Sequence, residues 1–193
     1  MSKLQRIIGV CGLNASGKST ICNFYKDKGY KVLSLSDIIR KTLRENNIEE
    51  TRDNLIDMGN NLRNKYGAGA LAKMTIDTLN QTDNYVIDSI RHPEEVKCFR
   101  GNYNKQQNQF ILVGIQCDAE IRFQRIQSRN RVGDKQSLEQ FKEIEQKEMN
   151  NPDPNGQQVS KVLEMSDFNI KNNFNNFDDF NKEIQLLDSQ ISK

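Results

Sequence analysis

The sequence has no tryptophan, only three prolines and one histidine, His92. A single histidine excludes a multi-histidine metal centre. The four cysteines, Cys11, Cys22, Cys98 and Cys117, stand far apart and form no metal-like pair. Cys11 and Cys117 lie in or beside apolar runs, as core thiols do, so a reducing compartment and a cytoplasmic location are expected rather than a disulfide framework. Apolar runs are short. The longest, near 7–13 and 110–115, cannot span a bilayer, and Met1-Ser-Lys-Leu4 lacks the apolar stretch of a leader peptide. Charge of one sign is also missing: 28 basic residues face 26 acidic ones, a net +2. That balance predicts no general nucleic-acid or membrane surface. There is no Asn-Lys-x-Asp guanine signature, and none of the His-x-Glu and Cys-x-x-Cys spacing of a zinc deaminase.

What is present fits one domain with a real core in 193 residues. The low mean hydropathy, −0.78, owes much to Asn and Gln. The QQNQ run at 106–109 and the Asn-rich 169–182 read as loop bias.

The informative stretch is Gly12-Leu-Asn-Ala-Ser-Gly-Lys-Ser19. Two glycines five apart, followed by Lys18 and Ser19, match a phosphate-binding loop. The apolar run Arg6–Cys11 before it reads as a strand, and 18–28 after it as a helix. Glycine permits the tight turn, free N–H groups at the helix start face an anion, Lys18 adds a positive charge, and the Ser19 hydroxyl can ligate Mg2+. The nucleotide-binding residues expected here are Gly12, Asn14, Ala15, Ser16, Gly17, Lys18, Ser19 and Thr20. The bland alternative is a tight turn bearing a surface lysine.

Beyond the loop, 30–34 reads as a second strand and 36–45 as a helix that Ser36 or Asp37 can cap. Residues 50–80 read as helical, broken near Tyr66-Gly-Ala-Gly69, and carry Arg52 and Arg63. Asn84–Asp88 is a third strand ending in a carboxylate, which beside a phosphate loop can support Mg2+ or else cap a helix. Arg91 could bind phosphate or pair with Glu94 or Glu95. His92 reads as a loop residue without an acid-base partner. Phe110–Ile115 is an uninterrupted apolar strand, as central parallel strands are. The next helix puts Arg122, Arg125 and Arg129 on one face, with Arg131 in the following loop. Such a face is either solvated or aimed at phosphates. A helix over 137–149, a loop at 150–156, a short helix to 165, a strand near 167–170 and an amphipathic C-terminal helix complete the chain.

In this order the motifs resemble the nucleoside monophosphate kinase type of P-loop enzyme, which includes adenylate and dephospho-CoA kinases. The resemblance is closest to an archaeal-type, dephospho-CoA-kinase-like P-loop group and runs from about residue 6 to 173. It implies an α/β three-layer P-loop NTP hydrolase fold, with a parallel five-stranded sheet and helices on both faces. The core would be 1–36, 81–120 and 157–193, with a helical acceptor-binding arm at 37–80 and a short lid at 121–150. ATP and Mg2+ are the implied cofactors, with Ser19 and Asp88 on the metal. A small nucleotide-like phosphate acceptor is the implied partner, and oligomeric state stays open.

The resemblance also assigns roles. Lys18, Arg91, Arg125 and Arg129 would be catalytic. Asp37, Arg40, Arg63 and Arg91 would contact substrate, and Arg131 and Asn172 would join the nucleotide site. Asp37 would take the proton of a hydroxyl acceptor in a dephospho-CoA kinase-like reaction, whereas a monophosphate acceptor leaves it a cap. The monophosphate acceptor is preferred, because Arg40 and Arg91 both look aimed at a phosphate. The lid has no zinc-binding cysteines, and 88–91 lacks the Gly-Phe-Pro of adenylate kinases. A third reading is a nucleotide sensor with little turnover.

Overall fold

The computed structural model describes residues 4–105, 108–129, 137–174 and 176–192. In chain order the elements are β1 (Gln5–Cys11), α1 (Lys18–Asp27), β2 (Lys31–Ser34), α2 (Leu35–Glu45), α3 (Arg52–Tyr66), α4 (Ala70–Ile76), β3 (Tyr85–Asp88) and α5 (Pro93–Asn102). There follow β4 (Asn104–Lys105), β5 (Asn108–Gln116), α6 (Ala119–Arg129), α7 (Leu138–Met149), α8 (Val159–Glu164), β6 (Phe168–Lys171) and α9 (Phe177–Ile191).

Five strands form a parallel sheet in the order β2-β3-β1-β5-β6. The two-residue β4 pairs antiparallel with the start of β5, an addition that the sequence reading lacks. β1 is central because it is apolar from Ile7 to Cys11 and is buried on both faces there. The alternation of its side chains divides the core. Ile7 and Cys11, with Phe110 and Leu112 of β5, pack under α2, α5 and their neighbours. Ile8 and Val10, with Ile111, Val113 and Ile115, pack under α1 and α9. The period of two along the strands thus produces the three-layer α/β P-loop fold.

Local chemistry fixes the helix starts. Ser34 and Asp37 form a capping box on α2, and Ser137 with Gln140 forms one on α7. His92 caps α5, with Pro93 in the first turn. It is the loop residue the sequence suggested, standing just before the helix, and it has a capping role that the sequence did not show. It is buried, accepts the Glu94 N–H at Nδ1 (3.1 Å), and lies 2.9 Å by Nε2 from the Pro154 carbonyl. No described helix is long and apolar enough to cross a membrane, and all four cysteines are free.

Candidate active site

The loop between β1 and α1 turns through left-handed backbone at Gly12 (φ 140°), Ala15 (φ 59°) and Gly17 (φ 109°). A β-carbon on Gly12 would lie 2.4 Å from the Ile115 carbonyl oxygen, and one on Gly17 would lie 2.3 Å from Asn172 Nδ2. Both places therefore require glycine for space as well as for conformation. The buried Ser16 hydroxyl has no hydrogen-bond partner. A cradle of this shape at a helix N-terminus, with an orphaned donor inside it, fits nucleotide phosphates.

Lys18 folds back over the loop and donates to the Leu13 carbonyl at 2.8 Å. Burial pushes its pKa down, Asp88 opposes that shift and Arg91 adds to it. The loop lysine, the acid ending β3 and the arginine three residues later therefore share one electrostatic site. The Asp88 carboxylate accepts the Ser89 N–H at 2.6 Å, and Ser89 is itself left-handed (φ 67°). Non-glycine residues held this way concentrate at functional sites. Ser19 is exposed at the start of α1. Ser19 and Asp88, completed by phosphate oxygens and water, make a donor set of the kind Mg2+ takes.

The expected nucleotide residue Asn172 is buried beneath the loop. Its Nδ2 donates to the Ser16 carbonyl at 2.8 Å. Arg125 reaches the same place from α6, donating to the carbonyls of Ala15 (3.3 Å), Asn172 (3.2 Å) and Phe174 (2.8 Å). It braces the loop against the segment after β6. Arg122 points elsewhere: it pairs with the buried Glu145 of α7 and donates to the Cys117 carbonyl. The side chain of Arg129 and the whole of Arg131 lie outside the described residues.

The expected acceptor arginines are each matched to an acid. Asp37 accepts the Ser34 N–H at 3.1 Å, completing the α2 cap. Arg40 donates to Ser36 (2.5 Å) and lies 3.4 Å from Glu50 and 3.9 Å from Asp37. Arg63 is a correction. Its side chain is 2% exposed and donates through Nε and Nη2 to Glu95 (3.1 and 2.9 Å), so it leaves no edge for a substrate. The reason is geometric: Arg63 shares the α3 face with Gly59 and Leu62, and that face is the buried one. Glu95 also accepts the backbone N–H groups of Arg91 and His92. Arg91 itself pairs with neither Glu94 nor Glu95 through its side chain.

The acid that Arg91 does meet is Glu148 of α7, in the helix expected over 137–149. Arg91 Nη1 lies 3.2 Å from Glu148 and donates to Gln157 at 2.8 Å. Arg52 of α3 donates to the same carboxylate at 3.0 Å. Burial acts to raise the Glu148 pKa, but Arg91 and Arg52 outweigh it and hold the carboxyl below the usual range. A signal was available: Glu145 and Glu148 follow Phe141 at four and seven residues, the spacing of a buried stripe. Beside Glu148 and Gln157, a cavity of about 310 Å³ opens between Asp53, Ile56 and Asp57 of α3 and Ile144 of α7. A second cavity, of about 500 Å³, lies at the opposite end of the sheet near Arg6 and Arg100.

The chain is similar to known proteins. The AAA domain model matches residues 11–142. The UPF0200 protein of Methanosarcina mazei is 30% identical over 94% of this chain and 93% of its own length. A UPF0200/UPF0201 protein of Archaeoglobus fulgidus is 29% identical over 98% of this chain, which spans 57% of that longer protein. Among solved structures, the shikimate kinase of Bacteroides thetaiotaomicron superposes with a TM-score of 0.62 at 11% identity, covering 98% of this chain and 99% of that one. The dephospho-CoA kinase of Campylobacter jejuni gives 0.54 at 20% identity, covering 97% and 96%. At such identities the likeness is one of fold, that of P-loop kinases.

Proposed function

Because the chain belongs to the UPF0200 family and, over residues 11–142, to the AAA domain family, we propose that it is an ATP-dependent phosphotransferase acting on a small molecule held between α3 and α7. The observation that carries this reading is the phosphate loop, left-handed at Gly12, Ala15 and Gly17 with Lys18 folded over it, together with the Arg91–Glu148 pair beside a cavity sized for a small ligand. ATP with Mg2+ supplies the transferable phosphoryl group. The loop amides and Lys18 would bind its phosphates, Ser19 and Asp88 would hold the metal, and Arg125 keeps the loop in shape. Arg129 and Arg131 are assigned to the lid, as its closing cations. Positive charge fixed in place is what a loose phosphoryl-transfer transition state requires of a protein. The four free thiols agree with a reducing, cytoplasmic setting.

The charge of the site favours a hydroxyl acceptor over a monophosphate, the dephospho-CoA kinase-like reading being one of transfer to a hydroxyl. A nucleoside monophosphate would need free guanidinium groups, and Arg40, Arg52, Arg63 and Arg91 each have a carboxylate partner. One observation favours the monophosphate reading: Arg52 and Arg91 converge on a single carboxylate, which a phosphate could replace. Steady-state transfer from ATP to monophosphates, dephospho-CoA and phosphate-free hydroxyl compounds separates the readings. Acceptor-dependent ADP release, lost in Lys18→Ala, supports the kinase. Tight ATP binding with no acceptor-dependent turnover would instead mark a sensor.

A further inference from the structure

The Glu148 carboxylate is used unevenly. Oε1 accepts the Arg52 hydrogen bond, whereas Oε2 is buried, lies 3.2 Å from Arg91 and receives no hydrogen bond. Glu148 as a whole is only 5% exposed. A buried carboxylate oxygen without a donor is costly, and such orphans mark places where a ligand or water belongs. This residue lines the 310 Å³ cavity. It also stands close enough to Lys18 for each charge to act on the other's ionisation. The remaining charges of the cavity are Asp53, Asp57 and Lys147, which with Glu148 make three carboxylates to one ammonium.

We infer that Glu148 Oε2 accepts the hydrogen of the acceptor's reactive hydroxyl and makes the site hostile to phosphate, so that the acceptor is a phosphate-free, neutral or cationic hydroxyl compound. This rests on the reading of the α3–α7 cavity as the acceptor site. In the reaction, the acceptor oxygen forms a bond to the γ-phosphorus of ATP while the bond to the β–γ bridging oxygen breaks. ADP leaves with that electron pair, and the hydroxyl proton passes to Oε2. Arg52 and Arg91 hold the carboxylate ionised and aimed. They are unavailable to a phosphate acceptor, because their charge is already half neutralised by Glu148.

The test is calorimetric titration of inorganic phosphate into the full chain as wild type, Glu148→Gln and Glu148→Asp. Removing the charge frees two guanidinium groups, so the Gln variant gains about tenfold or more in phosphate affinity. The Asp variant keeps the charge and stays as weak as wild type, which also shows that the gain is not a consequence of loosened packing. Equal phosphate binding by wild type and the Gln variant, including no binding by either, overturns the inference. A second readout is ATP hydrolysis without acceptor, in which water takes the hydroxyl's place. It falls about a hundredfold in the Gln variant, and an unchanged rate counts against the role of Oε2. ATP affinity, measured in the same proteins, keeps the two readings apart. Wild type that fails to bind ATP refutes the phosphotransferase. Wild type that binds ATP, with a Gln variant unchanged toward phosphate, refutes only the assignment of Glu148.

Discussion

Asn172 and Ser16 are 156 residues apart in the chain, and the Asn172 side chain donates to the Ser16 carbonyl at 2.8 Å from beneath the phosphate loop. The same asparagine accepts from Arg125 and limits the space at Gly17. It is a strut, and the loop it holds is strained. Asn172→Ala leaves the Ser16 carbonyl and the Arg125 guanidinium short of partners. Thermal unfolding of this variant should show a loss of about 1–3 kcal/mol, with weaker ATP binding in a parallel titration. Unchanged ATP affinity in a destabilised protein would separate the strut from the site.

Lys18 should cost the ligand-free protein stability. Its folded pKa lies below the unfolded value, chiefly through burial, so folding disfavours the protonated form. The penalty is in force at neutral pH and fades as pH rises through the folded and then the unfolded pKa. Lys18→Met should therefore raise the melting temperature at neutral pH while abolishing ATP binding, and the gain should shrink in alkaline buffer. A variant that melts lower at neutral pH contradicts this account of the lysine.

Arg63 should matter to folding rather than to substrate. Its ion pair with Glu95 is fully buried, and Glu95 also holds two backbone N–H groups at the start of α5. Removing one partner strands the other charge, so Arg63→Met should cost about 3–5 kcal/mol by denaturant unfolding. Replacing both residues with apolar ones should restore part of it. If the single variant folds as well as wild type and only its acceptor KM changes, the substrate role first expected of Arg63 is the right one.

Glu148 should contribute to acid sensitivity. Its carboxyl is held below the ordinary range by Arg91 and Arg52 despite burial. A depressed folded pKa gives stability that is fully present above the unfolded value and is lost as pH falls through the folded one. Melting curves taken between about pH 7 and pH 3 should show wild type above Glu148→Gln at neutral pH. The difference should narrow in acid. A constant gap across that range would mean that the carboxylate's charge is not what stabilises.

Much of the architecture can be read along the chain, because it depends on short-range regularities. The apolar runs in 6–11 and 110–115 send successive side chains to opposite faces, and both runs became central strands. Asp37 and Pro93 mark helix starts with their own oxygens or ring, although the cap of α2 is Ser34, with Asp37 completing the box, and not Ser36. The two-residue β4 escaped because it has no pattern of its own and exists only by pairing with β5. The site was legible where one segment contains it, as in 12–19. It was less legible where arginines wait for partners. Arg40, Arg63 and Arg91 were read as hands for phosphate because the acids they meet, Glu50, Glu95 and Glu148, cannot be assigned along a sequence.

By itself, then, the order of residues determined the phosphate loop, the parallel sheet and the three-layer plan, since glycine geometry and strand periodicity act between near neighbours. Which cations remain free, which carboxylate keeps an unfilled oxygen and where the cavity opens were decided only by the tertiary structure. A charge is free or spent according to what lies within a few ångströms of it, and at Glu148 those neighbours come from α3 and from the turn after β3, 96 residues away for Arg52.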